Sequence, residues 1–441
     1  MSILQAGGQA NMLACQPGGW GKIKNQARRI IMAFRGKPIL IGFLGLFLLS
    51  VSIFWAKENI DPVLWEKALK MHREAIVIDT HADTPMAVME MGLDLGKLQK
   101  DTDVDFIRMK KGGLDAIFLA VYVSHSQDKN RPSVKALELI DEIHNQVEKN
   151  PNLAELAFRA EDIRRIEGQG KRAVLIGMEN GSPVEGSLRL LRDYYRLGVR
   201  YITLTHNQNN DISDSSTGEK PRWHGLSPFG EQLVKEMNRL GMLIDVSHIS
   251  DEAFFDVLHL SRAPVLATHS CARALCGASR NMSDDMIKAL AAKGGVIHIN
   301  FFSEFLDEDY RKKSEALLKK FEPQRQALKE KYKDKPNEFW PAFMALWRAE
   351  APPAPGIEVL LEHIDHVKRL VGAGHIGLGS DFDGASSYPQ GLEDVSGFPL
   401  ITYHLLKRGY TEEEIKKILG GNFIRLFEEV EAASQKLREK R

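Results

Sequence analysis

From residue 75 onward the chain alternates short apolar runs with stretches in which apolar residues recur every three or four positions. The runs occupy 75–80, 116–123, 173–178, 201–205, 243–247, 264–268, 295–301 and 376–380. They are short and rich in β-branched residues, and most give way to polar or turn-forming residues, as buried parallel strands do. The amphipathic stretches between them, at 134–148, 186–197, 228–240, 251–260, 284–292 and 357–371, predict helices laid on a sheet. Eight such units predict an α/β fold, a (β/α)8 TIM-like barrel, which needs about 250 residues. The surplus is easily placed. Residues 303–355 are dense in Lys and Glu, carry Phe339, Trp340 and Trp347, and end in APPAP. They predict a helical insertion after the seventh strand, returning through a Pro-rich linker. Residues 411–436 open on Thr411 with Glu414 three positions on, a capping box that predicts one or two closing helices.

The first part of the chain follows another pattern. Residues 1–37 form a basic tail, and 38–55 read PILIGFLGLFLLSVSIFW, without a charge. That length is at the low end for crossing a bilayer, and the segment has no polar face to suit a core helix. Phe54 and Trp55 stand where a cleaved signal would place small residues, so an uncleaved anchor is expected over a signal peptide. Basic residues precede the segment, which puts the N-terminus in the cytoplasm and the rest outside. The expected organisation is therefore a tail (1–37), a single transmembrane helix (38–56) and a barrel (60–436) in the periplasm or extracellular space.

Composition narrows the function. With 43% hydrophobic and 27% charged residues the chain has an ordinary globular core. Net charge is zero, but seven basic residues precede the first acidic one, Glu58, leaving 52 basic against 59 acidic beyond it. No nucleic-acid partner is expected of such a body. Cys15, Cys271 and Cys276 are too few for a disulfide framework, and the last two are read as small core residues.

The chemistry lies where the runs end. The first hands over to His81 and Asp83, the third to Glu179, the fourth to His206, the fifth to His248, the sixth to His269 and the eighth to Asp381. In a barrel these ends meet at one mouth. Imidazoles and carboxylates without a thiolate suit zinc, and the surplus of ligands suits two ions bridged by a carboxylate, for which Glu179 is the natural choice. Such a pair would hold a hydroxide at neutral pH and clamp a tetrahedral intermediate, as hydrolysis of an unactivated acyl bond requires.

The motifs IDTHADTP, LTHNQN, GLSPFGEQLVKEMNRLGMLIDVSH, THSCAR, SRNMSDD, GSDFDG and GLEDVSGFP span roughly residues 77–427. This set resembles the renal-type membrane dipeptidase family, zinc dipeptidases of the amidohydrolase superfamily. The resemblance implies hydrolysis of a small dipeptide by a metal-bridging hydroxide, with two Zn2+ per subunit. His81, Asp83 and Glu179 would hold one ion, and Glu179, His248 and His269 the other. His206 would contact the substrate and steady the intermediate, Arg280 would bind the substrate's terminal carboxylate, and Asp381 would carry a proton to the leaving amine. It also allows a homodimer. The insertion after Phe302 is longer than in the animal enzymes, whose cysteines are missing here apart from Cys276, and attachment is N-terminal. A related amidohydrolase acting on a β-lactam, an N-acyl amino acid or a lactone, or a non-catalytic surface binding protein, remains the alternative.

Other polar residues carry less. The GxGxxG of 372–377 precedes a strand instead of following one, so it is read as a turn. His298 is expected to be packed, His125 and Asp128 to rim the pocket, and Asp383 to orient Asp381 or meet backbone. Asp79 and Asp245 are read equally as supports for ligand histidines or as turn residues.

Overall fold

Among the described residues nine strands, all parallel, form one sheet: β1 (Ile78–Ala82), β2 (Ala116–Tyr122), β3 (Ala154–Leu156), β4 (Arg172–Glu179), β5 (Val199–Thr203), β6 (Leu243–Asp245), β7 (Leu266–Ser270), β8 (Val296–Ile299) and β9 (Ile376–Leu378). The computed structural model describes residues 60–125, 128, 130–333 and 336–439. The expected tail and anchor lie outside these residues, and no helix among the described residues is long and apolar enough to cross a membrane.

Eight of the strands follow one another in the order β1-β2-β4-β5-β6-β7-β8-β9. The sheet nearly closes on itself. Past β9 the chain pairs with β1: Asp381 N donates to His81 O at 3.0 Å, and Asp83 N donates to Phe382 O at 2.8 Å. The extra strand, β3, pairs with Arg172–Val174 at the start of β4, ahead of Ile176, where β5 takes over that edge. At three residues it is too short for periodicity to reveal.

Polar residues inside the barrel shift the expected boundaries. β1 runs on through His81, and β7 through His269, because the interior satisfies their polar neighbours. Asp79 accepts from Ser380 Oγ at 2.6 Å and Ser380 N at 2.8 Å. Asp245 accepts from Thr203 Oγ1 at 2.5 Å and Thr268 Oγ1 at 2.7 Å.

The opposite end of the barrel is plugged by apolar side chains. The helix Asn422–Glu439 sets Phe423, Leu426, Phe427 and Val430 against Ile78, Phe118, Leu175, Leu243 and Val296, near the strands' N-terminal ends. Its lead-in passes so close to the floor that a Cβ on Gly420 would lie 2.4 Å from Ile76 O. The expected cap forms upstream: Thr411 Oγ1 accepts from Glu414 N, and Glu414 accepts from Thr411 N. The long excursion after β8 consists of helices Ser303–Leu306, Glu308–Lys331 and Pro336–Glu350. Phe321, Met344 and Trp347 hold the two longer ones together, so Trp347 serves packing. The floor is thus apolar, and the polar strand ends face the other way.

Candidate metal centre

Glu179, the last residue of β4, is the hub of the barrel mouth. Its Oε1 lies 3.0 Å from His248 Nε2, 3.4 Å from His269 Nε2 and 3.7 Å from His206 Nε2. Its Oε2 lies 3.6 Å from His81 Nε2, which is in turn 3.7 Å from Asp83 Oδ2 and 3.9 Å from Asp381 Oδ1. Three triads each bring their ligand atoms within 4.8 Å of one another: His81, Glu179 and His269; Glu179, His206 and His248; His81, Asp83 and Asp381. All seven residues expected at strand ends therefore meet at one place.

The local backbone aims them. Alternation along β1 turns His81 and Asp83 to the same side. His248 and Asp381 sit in the left-handed region, at φ 70° and 64°. Such a conformation costs a non-glycine residue about 1–3 kcal/mol and persists only where surrounding contacts enforce it. Asp381 has those contacts in its bond to His81 O and in Tyr388 Oη, which donates to its carbonyl at 3.1 Å. Gly384 leaves room for the carboxylates: a Cβ there would lie 2.1 Å from Asp83 Oδ2 and 2.7 Å from Asp381 Oδ1.

Do these residues suit metal ions? His81 Nδ1 lies 2.7 Å from Tyr201 Oη, and His269 Nδ1 lies 2.8 Å from Thr268 Oγ1, which itself donates to Asp245. Both rings are thus held by Nδ1, with Nε2 turned to the centre. There, His248 Nε2 and His269 Nε2 face each other at 2.9 Å. Among the described residues the buried His81 Nε2 and Asp83 Oδ1 find no hydrogen-bond partner, and no Lys or Arg ion-pairs with Asp83, Glu179 or Asp381. Burial, with Glu179 nearby, pushes Asp83 up to about 7. Against burial, His206 and His81 hold Glu179 well below the usual carboxylate range. Burial, with Arg280 and His206 adding, holds His248 well below the ordinary imidazole value. Imidazoles, carboxylates without basic partners and buried atoms without hydrogen bonds all suit divalent cations.

Comparison with known proteins decides the family. Residues 65–441 match the family described as Membrane dipeptidase (Peptidase family M19). The chain belongs to the membrane dipeptidase family. It is 36% identical over 346 residues to Dipeptidase tcpJ of Claviceps purpurea, an alignment covering 76% of this chain and 71% of that protein. It is 32% identical over 390 residues to Dipeptidase 3 of Rattus norvegicus, covering 85% and 69%. Among solved structures, the probable dipeptidase PvdM from Pseudomonas aeruginosa superposes with a TM-score of 0.72 at 28% identity, covering 85% of this chain and 100% of that one. A metallo peptidase from Rhodobacter sphaeroides, solved with a phosphinate mimic of the dipeptide L-Ala-D-Ala, gives 0.66 at 25%, covering 81% and 99%. As a membrane dipeptidase family member, the chain is a metal-dependent hydrolase of peptide bonds.

Around this dipeptidase centre the remaining candidates separate. Arg280 is buried near the cluster, with Nη2 donating to His269 O at 3.2 Å, its guanidinium over Phe305, and Nε without a partner among the described residues. His206 is partly exposed and rests edge-on against Tyr122 at 4.9 Å between centroids. Asp383 meets backbone and hydroxyl, accepting from Asp103 N and Thr84 Oγ1 at 2.6 Å each. His298 turns away, hydrogen-bonded to Ala267 O at 2.9 Å and packed on Gly377. The GxGxxG segment makes a short turn at Ala373–His375 and runs into β9. Tyr201 and Thr268, which orient two of the histidines, gave no sign in the sequence, because a tyrosine or threonine in an apolar run reads as core or strand.

Proposed function

We propose that the chain hydrolyses dipeptides at this centre with two zinc ions, one held by His81, Asp83 and Glu179 and the other by Glu179, His248 and His269. The observation that carries the reading is the position of Glu179, whose two oxygens face different histidines. Bound there, the ions would supply Lewis acidity to the scissile carbonyl and lower the pKa of the attacking water. The remaining work falls to side chains. Arg280 binds the substrate's terminal carboxylate: a buried guanidinium with an unused donor is the group that a planar anion satisfies. His206, kept below its ordinary pKa by burial, is a neutral imidazole that donates a hydrogen bond to the carbonyl oxygen as negative charge develops. Asp381 takes the proton of the attacking water and passes it to the leaving nitrogen, without which the amine cannot depart.

The test is a substrate panel of dipeptides with L or D C-terminal residues, a β-lactam, an N-acyl amino acid and a lactone. The reading expects the highest kcat/KM on a dipeptide. A higher value on any other class overturns the substrate assignment, and no turnover of any member overturns catalysis.

We also infer that residues 38–56 anchor residues 60–436 outside the cytoplasm, on the strength of the uncharged run at 38–55 and the basic residues before it. The full chain should stay in the membrane pellet through alkaline carbonate washing, and release into the supernatant would refute the anchor.

A further inference from the structure

The assignment of Asp381 as proton carrier leaves open what holds its carboxylate still. One oxygen, Oδ1, faces the metal residues, 3.9 Å from His81 Nε2. The other, Oδ2, accepts a hydrogen bond from Asn300 Nδ2 at 3.0 Å. Asn300 follows β8 directly and is fully buried. Its own amide is fixed in turn, because Oδ1 accepts from Phe302 N at 2.6 Å. A backbone N–H needs an acceptor, so the oxygen must lie on that side and the NH2 must face Asp381. The Asn300 backbone is tied too: its N–H donates to Ser270 O at 3.3 Å, and its carbonyl accepts from Cys271 Sγ at 3.4 Å.

We propose that Asn300 is a positioning residue for proton transfer: its amide tethers one oxygen of Asp381 so that the other points at the reacting centre. Asn300 sits behind the carboxylate and acts through it. This rests on the reading of Asp381 given above. A carboxylate on a short side chain rotates about χ2 with little resistance, and proton transfer tolerates little misalignment. The left-handed backbone fixes where the Asp381 side chain starts, and the amide fixes how its head is turned.

The test uses two substitutions that keep an acceptor for Phe302 N and remove the amide donor to Asp381. Asn300→Asp is isosteric but presents an oxygen to Asp381. Asn300→Ser retains a hydroxyl near the backbone and falls short of the carboxylate. Each is assayed in the full chain for dipeptide kcat and KM, with metal content and melting temperature measured in parallel. The expected result for either variant is a kcat lower by roughly tenfold to a hundredfold, with KM and metal content unchanged. A kcat within about threefold of wild type in both variants overturns the proposal, and so does an equal loss traced to lost metal.

A double-mutant cycle with Asp381→Asn separates the proposal from the reading beneath it. If Asn300 acts through Asp381, adding Asn300→Asp to Asp381→Asn lowers the residual rate by less than about threefold. A further drop as large as in the wild-type background overturns the positioning role while the role of Asp381 stands. If Asp381→Asn alone retains full activity, the proton-carrier reading fails and the positioning role fails with it.

Discussion

Tyr201 Oη lies 2.7 Å from His81 Nδ1, deep in the barrel and below the metal residues. If His81 ligates through Nε2, as proposed, its proton sits on Nδ1, so that His81 donates and the tyrosine oxygen accepts. Tyr201 reaches this position because Gly177 on the neighbouring strand has no side chain: a Cβ there would lie 2.0 Å from Tyr201 Cζ. Tyr201→Phe should therefore keep the fold and loosen the centre, lowering metal affinity by about 10–100-fold. Competition with a metal-sensitive chelator measures this, and unchanged affinity would show that the hydroxyl does not orient His81.

Arg280 gives a prediction about substrate. Its guanidinium is buried with Nε unpartnered among the described residues, so a substrate carboxylate would meet a charge already removed from water. Arg280→Ala should reduce kcat/KM on dipeptides by about 10–100-fold, the range of a hydrogen-bonded charge pair. Dipeptide amides, which lack the carboxylate, should be nearly unaffected. Equal losses on both would refute the assignment.

His72 gives a prediction about stability, well away from the metal residues. Its Nε2 lies 2.9 Å from Gly112 O and its Nδ1 2.7 Å from Thr402 Oγ1, and burial lowers its pKa to about 4. The unfolded chain titrates this histidine near its ordinary value of about 6.5. Between these values the unfolded state holds the extra proton, so the contribution of His72 is complete above about pH 6.5 and declines as pH falls towards 4. His72→Asn should be clearly less stable than wild type at about pH 7.5, with the gap narrowing by up to about 1.4 kcal/mol per pH unit through that window. Denaturant melts of both proteins at several pH values check this, and a gap independent of pH would contradict it.

The fold was readable because a parallel strand buried on both faces is a continuous apolar run, and six of the eight runs broke at a residue able to bind metal. This is why His81, Asp83, Glu179, His206, His248, His269 and Asp381 could be named from the sequence and are found together. What could not be read follows from the barrel interior. Asp79, Thr203, Asp245, Thr268 and Ser380 satisfy one another across strands, so polarity in the sequence did not mark the true ends of β1 and β7. Asp245 had two equal readings, and only its bond to Thr268, and through it to His269, identifies it as a support. Asn300 is one asparagine at a strand end, and nothing in the sequence ties it to a residue 81 positions away.

The sharing of Glu179 by two ions is the claim on which the catalytic account depends. Zinc content and dipeptide hydrolysis should be measured together on wild type and Glu179→Gln, before chelation, after chelation and after zinc is restored. The account predicts about two zinc ions per wild-type chain, activity lost with the metal and regained with it, and a Glu179→Gln variant deficient in both metal and turnover. Full hydrolysis by metal-free protein, or a Glu179→Gln variant holding both ions at wild-type rate, would contradict it.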